Sequence, residues 1–450
     1  MAAPVALSKR SRGASLLAGV TPESFVLAVA IPLVFLHLRY QPKVHFGVGS
    51  TTIGIELSDV AVAAVVLAGV VCGLRLGFAP LRAGKWIWVA ATLLFAWIAI
   101  SIARTAGSNG YPWQTHLVTA AKFFEYALLA PAVMLVVRRR ADLFVVVLTL
   151  IGWSVVATVV GVAQFFGANI FVSGTTGGRQ LSFLGFHDFG ALSAAALACA
   201  AVGIALPRFG LSARVAWLAA VSGAIGTILS GSVAAVIGLG VAGVALLVLA
   251  YLRDELWPRR LLAVAAVLAV TAAGVAGMRA NQLDSVLHLV GIETQKAPSK
   301  EVESYAHRAV LVWIGWRIFR DHPLAGAGWE ASGDPATFMP YVPAARRKYP
   351  DEPPLAFPAP GRAYGVQNLY VQFLADLGLV GLLLLLAVFA SAAWVGFQAR
   401  AAVGVLLTAV AAGVWFAQGI VAGIPLDALT WIGIGLVAEE YGAASGKMSA

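Results

Sequence analysis

Apolar residues in this chain come in repeated runs of about 18–25, separated by short charged or Gly/Pro-rich breaks. An α-helix of that length spans the hydrocarbon core of a bilayer, because it rises about 1.5 Å per residue. The pattern therefore predicts an all-α polytopic membrane protein with about 12 transmembrane helices. The predicted helices cover residues 22–39, 58–78, 86–103, 116–137, 142–166, 188–206, 215–231, 233–251, 261–279, 367–398, 401–422 and 426–444.

The composition agrees with this pattern. Of the 450 residues, 60% are hydrophobic and 12% are charged, whereas a soluble protein carries about twice that charged fraction. A soluble enzyme, a disordered chain and a disulfide scaffold are thereby excluded. Cys72 and Cys199 each lie inside an apolar run, where neither is placed for a disulfide or a metal site. In a membrane protein the distribution of the charges matters more than the net charge of +10, and we expect no nucleic-acid partner.

The short loops indicate the orientation. If the N-terminus is cytoplasmic, most basic loop residues fall on the cytoplasmic side, as the positive-inside rule requires. Those residues are Arg75, Arg82, Lys85, Arg138, Arg139, Arg140, Arg208, Arg214, Arg253, Arg259 and Arg260. The opposite loops hold only Arg39, Lys43, Arg104 and Arg179. We therefore predict that both termini are cytoplasmic and that the first helix is an uncleaved targeting signal.

One connection is much longer than the others. It divides the chain into helices 1–9 (1–279), a large outer loop (280–366) and helices 10–12 (367–450). Within this loop, residues 302–320 have the pattern of an amphipathic helix, which the following Asp-His-Pro sequence should end. Long loops in folded proteins are usually lids or binding elements, so we expect chemistry or recognition at the outer surface.

The candidate chemistry is cationic. The chain has no Walker loop, no dinucleotide fingerprint, no H-E-x-x-H pair and no D-x-D carboxylate pair. Arginine and histidine residues in the outer loops remain, and an arginine fork can pair bidentately with phosphate. These residues are Arg179, His187, His307, Arg308, Arg317, Arg320 and His322. Binding of ordinary phospholipid head groups or pairing with loop carboxylates is an equally good interpretation of any one arginine.

Two glycines, Gly326 and Gly328, flank an alanine shortly after the amphipathic helix. Such a G-x-G can let the backbone approach an anion closely, although on its own it is more typical of a helix-terminating turn. Together with its neighbours, however, it forms a longer pattern. The pattern reads His307-Arg308, seven residues, then Trp316-Arg317-Ile318-Phe319-Arg320-Asp321-His322-Pro323-Leu324-Ala325-Gly326-Ala327-Gly328.

That pattern resembles the O-antigen ligase and Wzy-type polymerase superfamily of bacterial envelope proteins, in which an arginine-led helix ends in H-P-x-x-G-x-G. The segment Gln367-Asn368, nine residues, Gly378, two residues and Gly381 is similar to the family motif H-[NSQ]-x9-G-x-x-[GTY]. Arg179, ahead of a helix start, resembles the family's other outer arginine. The layout of twelve helices with a long loop before the tenth also fits.

The resemblance implies a membrane glycosyltransferase of the GT-C-like class in the bacterial inner membrane, with its active site on the periplasmic face. It would move a glycan from undecaprenyl diphosphate to a hydroxyl of a lipid or glycan acceptor. Arg179 and Arg308, supported by Gly326 and Gly328, would bind the diphosphate. Since the diphosphate leaving group supplies the energy, no metal, ATP or other cofactor is implied. Besides the donor and the acceptor, the expected partners are membrane lipids.

The candidate catalytic residues are His307, His322 and Gln367, and His187 is a third histidine that could act as the base. Two positions depart from the family pattern. The family's histidine is replaced by Gln367, which can orient a hydroxyl but cannot take its proton. The family often has Ser-Arg where this chain has Ser230-Gly231. Both departures leave a Wzy-type polymerase open beside an O-antigen ligase.

A lipid-linked-glycan transporter is the alternative outside enzymes. It would require charges or broken helices near the middle of the bilayer. The predicted helices offer mainly Lys122 and Glu125 there, and an ion pair between helices is the simpler interpretation of these two residues.

Overall fold

The computed structural model describes residues 20–48, 51–108, 110–171, 178–280, 304–362, 365–419 and 425–444, and it is mostly helical. Its helices are α1 (Pro22–Phe35), α2 (Leu57–Leu76), α3 (Lys85–Thr105), α4 (Trp113–Ala127), α5 (Leu129–Val136), α6 (Arg140–Phe165), α7 (Phe186–Ala205), α8 (Ala213–Ser230), α9 (Val233–Leu252), α10 (Pro258–Met278), α11 (Ser304–Asp321), α12 (Pro335–Phe338), α13 (Val342–Lys348), α14 (Leu369–Ala399), α15 (Ala402–Val414) and α16 (Pro425–Ala444).

A helix lies at each of the twelve predicted positions, with α4 and α5 together forming the fourth. Among the described residues, nine helical stretches are long and apolar enough to cross a membrane. Helix α1 and the stretch Ala402–Ala417 are apolar but shorter. The polytopic all-α class is thereby confirmed, while the count of twelve crossings stays a prediction.

A β-hairpin between α1 and α2 was not predicted. Strands β1 (Lys43–Val48) and β2 (Thr51–Glu56) pair antiparallel, with Lys43 opposite Glu56. These two residues are the pair farthest from the hairpin turn, and their side chains form an ion pair with 2.7 Å between Nζ of Lys43 and Oε1 of Glu56. The hairpin closes the connection between the first two helices, which pack against each other.

Helix α7 occupies the centre of the bundle. In its apolar stretch 83% of the residues are buried, compared with 17% in the peripheral α10. It packs against α6, α8, α9 and α15, and its small side chains let these neighbours approach closely. At Gly223 of α8, an added Cβ would lie 2.7 Å from the Ser193 carbonyl oxygen. Small residues on both helices therefore let α8 pack closely along the body of α7.

The described part of the large loop has its own small core. Val310, Ile314 and Ile318 of α11 are buried against Phe338 and Val342 of the short helices that follow. This burial agrees with the amphipathic pattern of the sequence, and α11 ends at Asp321. Helix α11 also packs along α14, so the loop lies directly on the bundle.

Lys122 of α4 pairs with Asp59 of α2, with 2.9 Å between its Nζ and the carboxylate. This contact agrees with the interpretation of Lys122 as part of an ion pair between helices.

Candidate functional site

Arg308 connects the large loop to the bundle. Its Nη1 donates to the carbonyl oxygen of Ala417 at 2.9 Å, and its Nη2 lies 3.0 Å from Nε2 of His187. A guanidinium group can only donate, so Nε2 of His187 must accept this bond. His187 is therefore neutral and carries its proton on Nδ1. The second residue of α7 thus orients an arginine that comes from α11.

Arg179 reaches the same region from the segment before α7 and is only 6% exposed. Its Nε donates to the Ser230 carbonyl oxygen at 2.8 Å, and its Cζ lies 4.1 Å from the centre of the Phe186 ring. The neighbouring Gly231 has a left-handed φ of +56°, and an added Cβ would lie 3.0 Å from Cγ of Arg179. The turn between α8 and α9 therefore needs glycine here to leave room for the arginine.

Arg279 is a third arginine at this turn, and the sequence analysis did not single it out. It follows directly after α10, is 5% exposed, and donates from Nε to the Gly231 carbonyl oxygen at 2.9 Å. The family resemblance leads one to expect an arginine at position 231 itself. In this chain a guanidinium group from α10 reaches the same turn. The available signal was an arginine at the last position of the ninth predicted helix (261–279), at the outer side where basic residues are rare.

Arg179, Arg279 and Arg308 all lie close enough to His187 for their charges to act on its ring. We call these four residues the outer arginine cluster. Burying charge is costly unless hydrogen bonds compensate for the lost water. The hydrogen bonds described above go to backbone carbonyls and to a neutral imidazole. They fix the guanidinium groups in place around one turn, and guanidinium forks can pair bidentately with the oxygens of a phosphate-bearing ligand.

Gln367 lies just before α14 and is half-buried. The next residue, Asn368, caps the helix by accepting from the Val371 amide at 3.0 Å, and it donates to the Phe416 carbonyl oxygen at 2.7 Å. Since Arg308 binds the adjoining Ala417, the segment that carries Gln367 and the arginine contact the same stretch of chain.

His307 turns away from Arg308, as adjacent residues on a helix must. Its Nδ1 lies 2.6 Å from the Ala356 carbonyl oxygen and therefore donates to it, which puts the lone pair of the neutral ring on Nε2. Burial is the main cause that lowers the pKa of His307 below 6.5; Arg308 and Arg362 lower it further, and the bond to Ala356 acts against them. The neutral form needed for a general base is thus favoured near neutral pH.

His322 lies at the opposite end of α11, fourteen residues and about 21 Å along the axis from Arg308. Its surroundings differ from the outer arginine cluster, because it lines a cavity of about 270 Å³ together with Tyr111 and Tyr341. The structure therefore does not bring His322 together with the arginines.

The Gly326–Gly328 turn also lies at that far end. The amides of Ala327 and Gly328 each donate at 2.9 Å to carbonyl oxygens of α14, at Ala375 and Asp376. Gly326 has a φ of +66°, and an added Cβ would lie 2.2 Å from the backbone of Asp376. The turn packs the loop against α14, and its predicted contribution to diphosphate binding stays a prediction.

The turn meets α14 where that helix is broken. Gly378 has non-helical angles, with a φ of +68°, and an added Cβ would lie 2.3 Å from the backbone of Leu324. The two glycine motifs noted in the sequence thus meet in one close backbone contact. The Gly326–Gly328 turn forms one side of this contact and Gly378 of α14 forms the other. Arg104 of α3 closes it by donating to the carbonyl oxygens of Ala325 and Gly326 at 2.9 and 2.8 Å.

Comparison with known proteins identifies one family. Residues 218–386 match the family model described as O-antigen ligase. The match runs from α8 to the middle of α14, so it includes Arg279, Arg308, Gln367 and both glycine motifs. No curated protein matches the chain. The resemblance seen in the sequence is confirmed, and the match implies an O-antigen ligase or a related polymerase activity in a bacterial membrane.

Proposed function

From the O-antigen ligase domain at residues 218–386, we propose that this protein transfers a glycan from undecaprenyl diphosphate to an acceptor hydroxyl at the periplasmic face of the inner membrane. The observation that carries the proposal is the outer arginine cluster, in which the buried Arg179 and Arg279 and the half-buried Arg308 gather around His187. Its position agrees with the charge distribution of the loops, which favours an outer location.

The arginines act on the leaving group. The acceptor oxygen forms a bond to the anomeric carbon of the donor sugar, and the bond from that carbon to the diphosphate oxygen breaks. The electron pair of the broken bond leaves with the lipid diphosphate, whose negative charge grows in the transition state. Arg179, Arg279 and Arg308 are held where they can stabilise that charge, and preorganised donors of this kind contribute about 3–4 kcal/mol each.

His307 is our candidate for removing the proton of the acceptor hydroxyl. The bond to Ala356 fixes its tautomer, and the lowered pKa keeps the ring unprotonated near pH 7. Gln367, beside the arginine-bearing segment, would orient the hydroxyl by hydrogen bonding. We give His322 no part in this step, because about 21 Å of helix separates it from Arg308.

The test uses purified full-length protein in EDTA, with a labelled undecaprenyl-diphosphate oligosaccharide as donor. We expect Arg308→Ala to reduce transfer about 10²–10³-fold while the protein still inserts and folds. Arg308→Lys is the matched variant: it keeps the charge and loses the fork, so it should retain only part of the activity. Transfer at the wild-type rate by Arg308→Ala would overturn the assignment of the site.

The products separate the candidate activities. A ladder of longer lipid-linked glycans formed from the donor alone would identify a polymerase. Transfer only after a core-lipid acceptor is added would identify a ligase. Movement of the donor across a vesicle membrane with no new glycosidic bond would identify a transporter and contradict the proposal.

A further inference from the structure

A second arginine-rich site lies at the other end of α9 from the turn that Arg179 and Arg279 contact. A cavity of about 320 Å³ opens where α6 begins and where α9 and α14 end. The length of α9, about 30 Å, separates this cavity from the outer arginine cluster. The charged residues that line it are Arg138, Arg140, Arg208, Arg253, Arg400, Glu439 and Glu440.

Three of these arginines form a chain in which each binds the backbone of the next. Arg140 donates to the carbonyl oxygen of Arg208 at 3.0 Å, and Arg208 donates to that of Arg253 at 3.2 Å. Arg253 in turn donates twice to the carbonyl oxygen of Arg400, at 3.0 and 2.5 Å. The chain of bonds gathers positive side chains from α6, α9 and the α7–α8 connection, and it ends beside Arg400 after α14.

The positive charge of this cavity exceeds its negative charge. Five arginines face two glutamates, which leaves three positive charges in excess. Within the described residues, no carboxylate oxygen lies within 4 Å of a nitrogen of these five side chains, and Glu440 instead accepts from the Gly404 amide at 3.4 Å. Like charges gathered so closely repel one another, so an anion in the cavity would stabilise the arrangement.

The remaining lining residues are apolar. Leu143, Phe209, Ala399 and Ala443 lie beside the arginines. A free inorganic anion has no apolar part that could pack on such a surface, whereas the first carbons of a lipid acyl chain would be buried against it. Basic pockets between transmembrane helices on the cytoplasmic side have the chemistry that binds anionic lipid head groups.

We propose that this cavity, which we call the inner arginine pocket, binds the phosphate-bearing head group of an anionic lipid from the cytoplasmic leaflet. The phosphate would pair with the forks of Arg208 and Arg400, two of the three exposed arginines that line the cavity. The proposal does not depend on the glycan-transfer site and would stand if that site had another function.

The experiment measures thermal unfolding of the full-length protein in non-ionic detergent micelles containing increasing amounts of cardiolipin, phosphatidylglycerol or phosphatidylcholine. Only the two anionic lipids should raise the midpoint, since binding to the folded state stabilises it. A parallel titration with inorganic phosphate distinguishes the sources of the ligand. An equal rise with phosphate alone, or with phosphatidylcholine, would overturn the lipid proposal.

Arg400→Gln is the decisive variant, because the chain of bonds uses the Arg400 carbonyl and this change leaves it in place. Removing one basic side chain near the surface should weaken the apparent affinity for cardiolipin about fivefold. Arg400→Gln combined with Arg208→Gln should weaken it about 25-fold, and Arg208→Lys in that pair should restore part of the loss.

Arg214→Gln is the matched control. Arg214 is an exposed arginine on the same predicted side, and it does not line the cavity. It should leave the affinity unchanged. Equal weakening by Arg214→Gln and Arg400→Gln would mean that the lipid responds only to overall charge, and the pocket would be rejected.

Discussion

The two ends of α11 are held by different kinds of residue, a long charged side chain at one end and a glycine at the other. Near its N-terminus, Arg308 extends a long charged side chain into contact with His187 and Ala417. Beyond its C-terminus, Gly326 lets two backbones meet because it has no side chain at all. The first end holds charge in position, while the second fixes the helix to α14.

This difference separates two contributions that the sequence motif presents as one. The charged end would support chemistry only if the glycine end keeps α11 in place, because both belong to one rigid helix. Damage to the glycine end should therefore appear as lost stability, and damage to the charged end as lost activity. Three measurements test that separation, in order of expected effect.

Gly326→Ala should have the largest effect. The new Cβ would lie 2.2 Å from the backbone of Asp376, and alanine is strained at a φ of +66°. We expect a destabilisation of about 3 kcal/mol, measured by reversible unfolding in mixed micelles. Gly361→Ala is the control from the same loop, since nothing lies within 4 Å of its added Cβ. Similar stability of the two variants would refute the packing role of the turn.

His187→Leu should affect activity more than stability. The change removes the acceptor that orients Arg308, and a buried donor left without its partner costs about 1–3 kcal/mol. We expect transfer to fall about tenfold. His187→Gln offers a carbonyl oxygen in place of Nε2 and should keep most of the activity. Equal losses in the two variants would show that His187 does not act by accepting a hydrogen bond.

The pH dependence is the smallest effect. Because burial lowers the pKa of His307 below 6.5, the active neutral ring persists as the pH falls through 6.5. The kcat/KM at pH 6.5 should therefore stay above half of its value at pH 8, and it should decline only at lower pH. His307→Gln should lack this acid limb. An unchanged acid limb in that variant would assign the titration to another group.

Much of the fold could be predicted because the length and polarity of an apolar run determine a transmembrane helix almost alone. The β-hairpin was missed although Val44 and Phe46, and then Ile53 and Ile55, alternate with other residues as strand positions do. That alternation covers only a few residues between two strongly apolar helices, so a search for long runs passes over it.

The candidate site was harder to predict than the fold. Arg308 and Arg179 were predicted from their place in the outer loops and from the family motifs, but the contact of Arg279 with the α8–α9 turn is seen only in the folded structure. The contact between Arg308 and His187 joins residues 121 positions apart, so no local pattern encodes it. Conversely, His322 looked like a neighbour of the site because it is close in sequence, yet a straight helix carries it far away.

The burial of α7 has a consequence for the biogenesis of the protein. A segment enters the membrane during synthesis according to its own hydropathy, before its later neighbours exist. Helix α7, with a mean hydropathy of 1.7 against 2.7 for α9, must pass that selection although its folded form exposes little surface to lipid. A polar substitution along α7 would therefore be harmful at two stages: it would weaken insertion at the translocon, and it would place a polar group in the packed bundle.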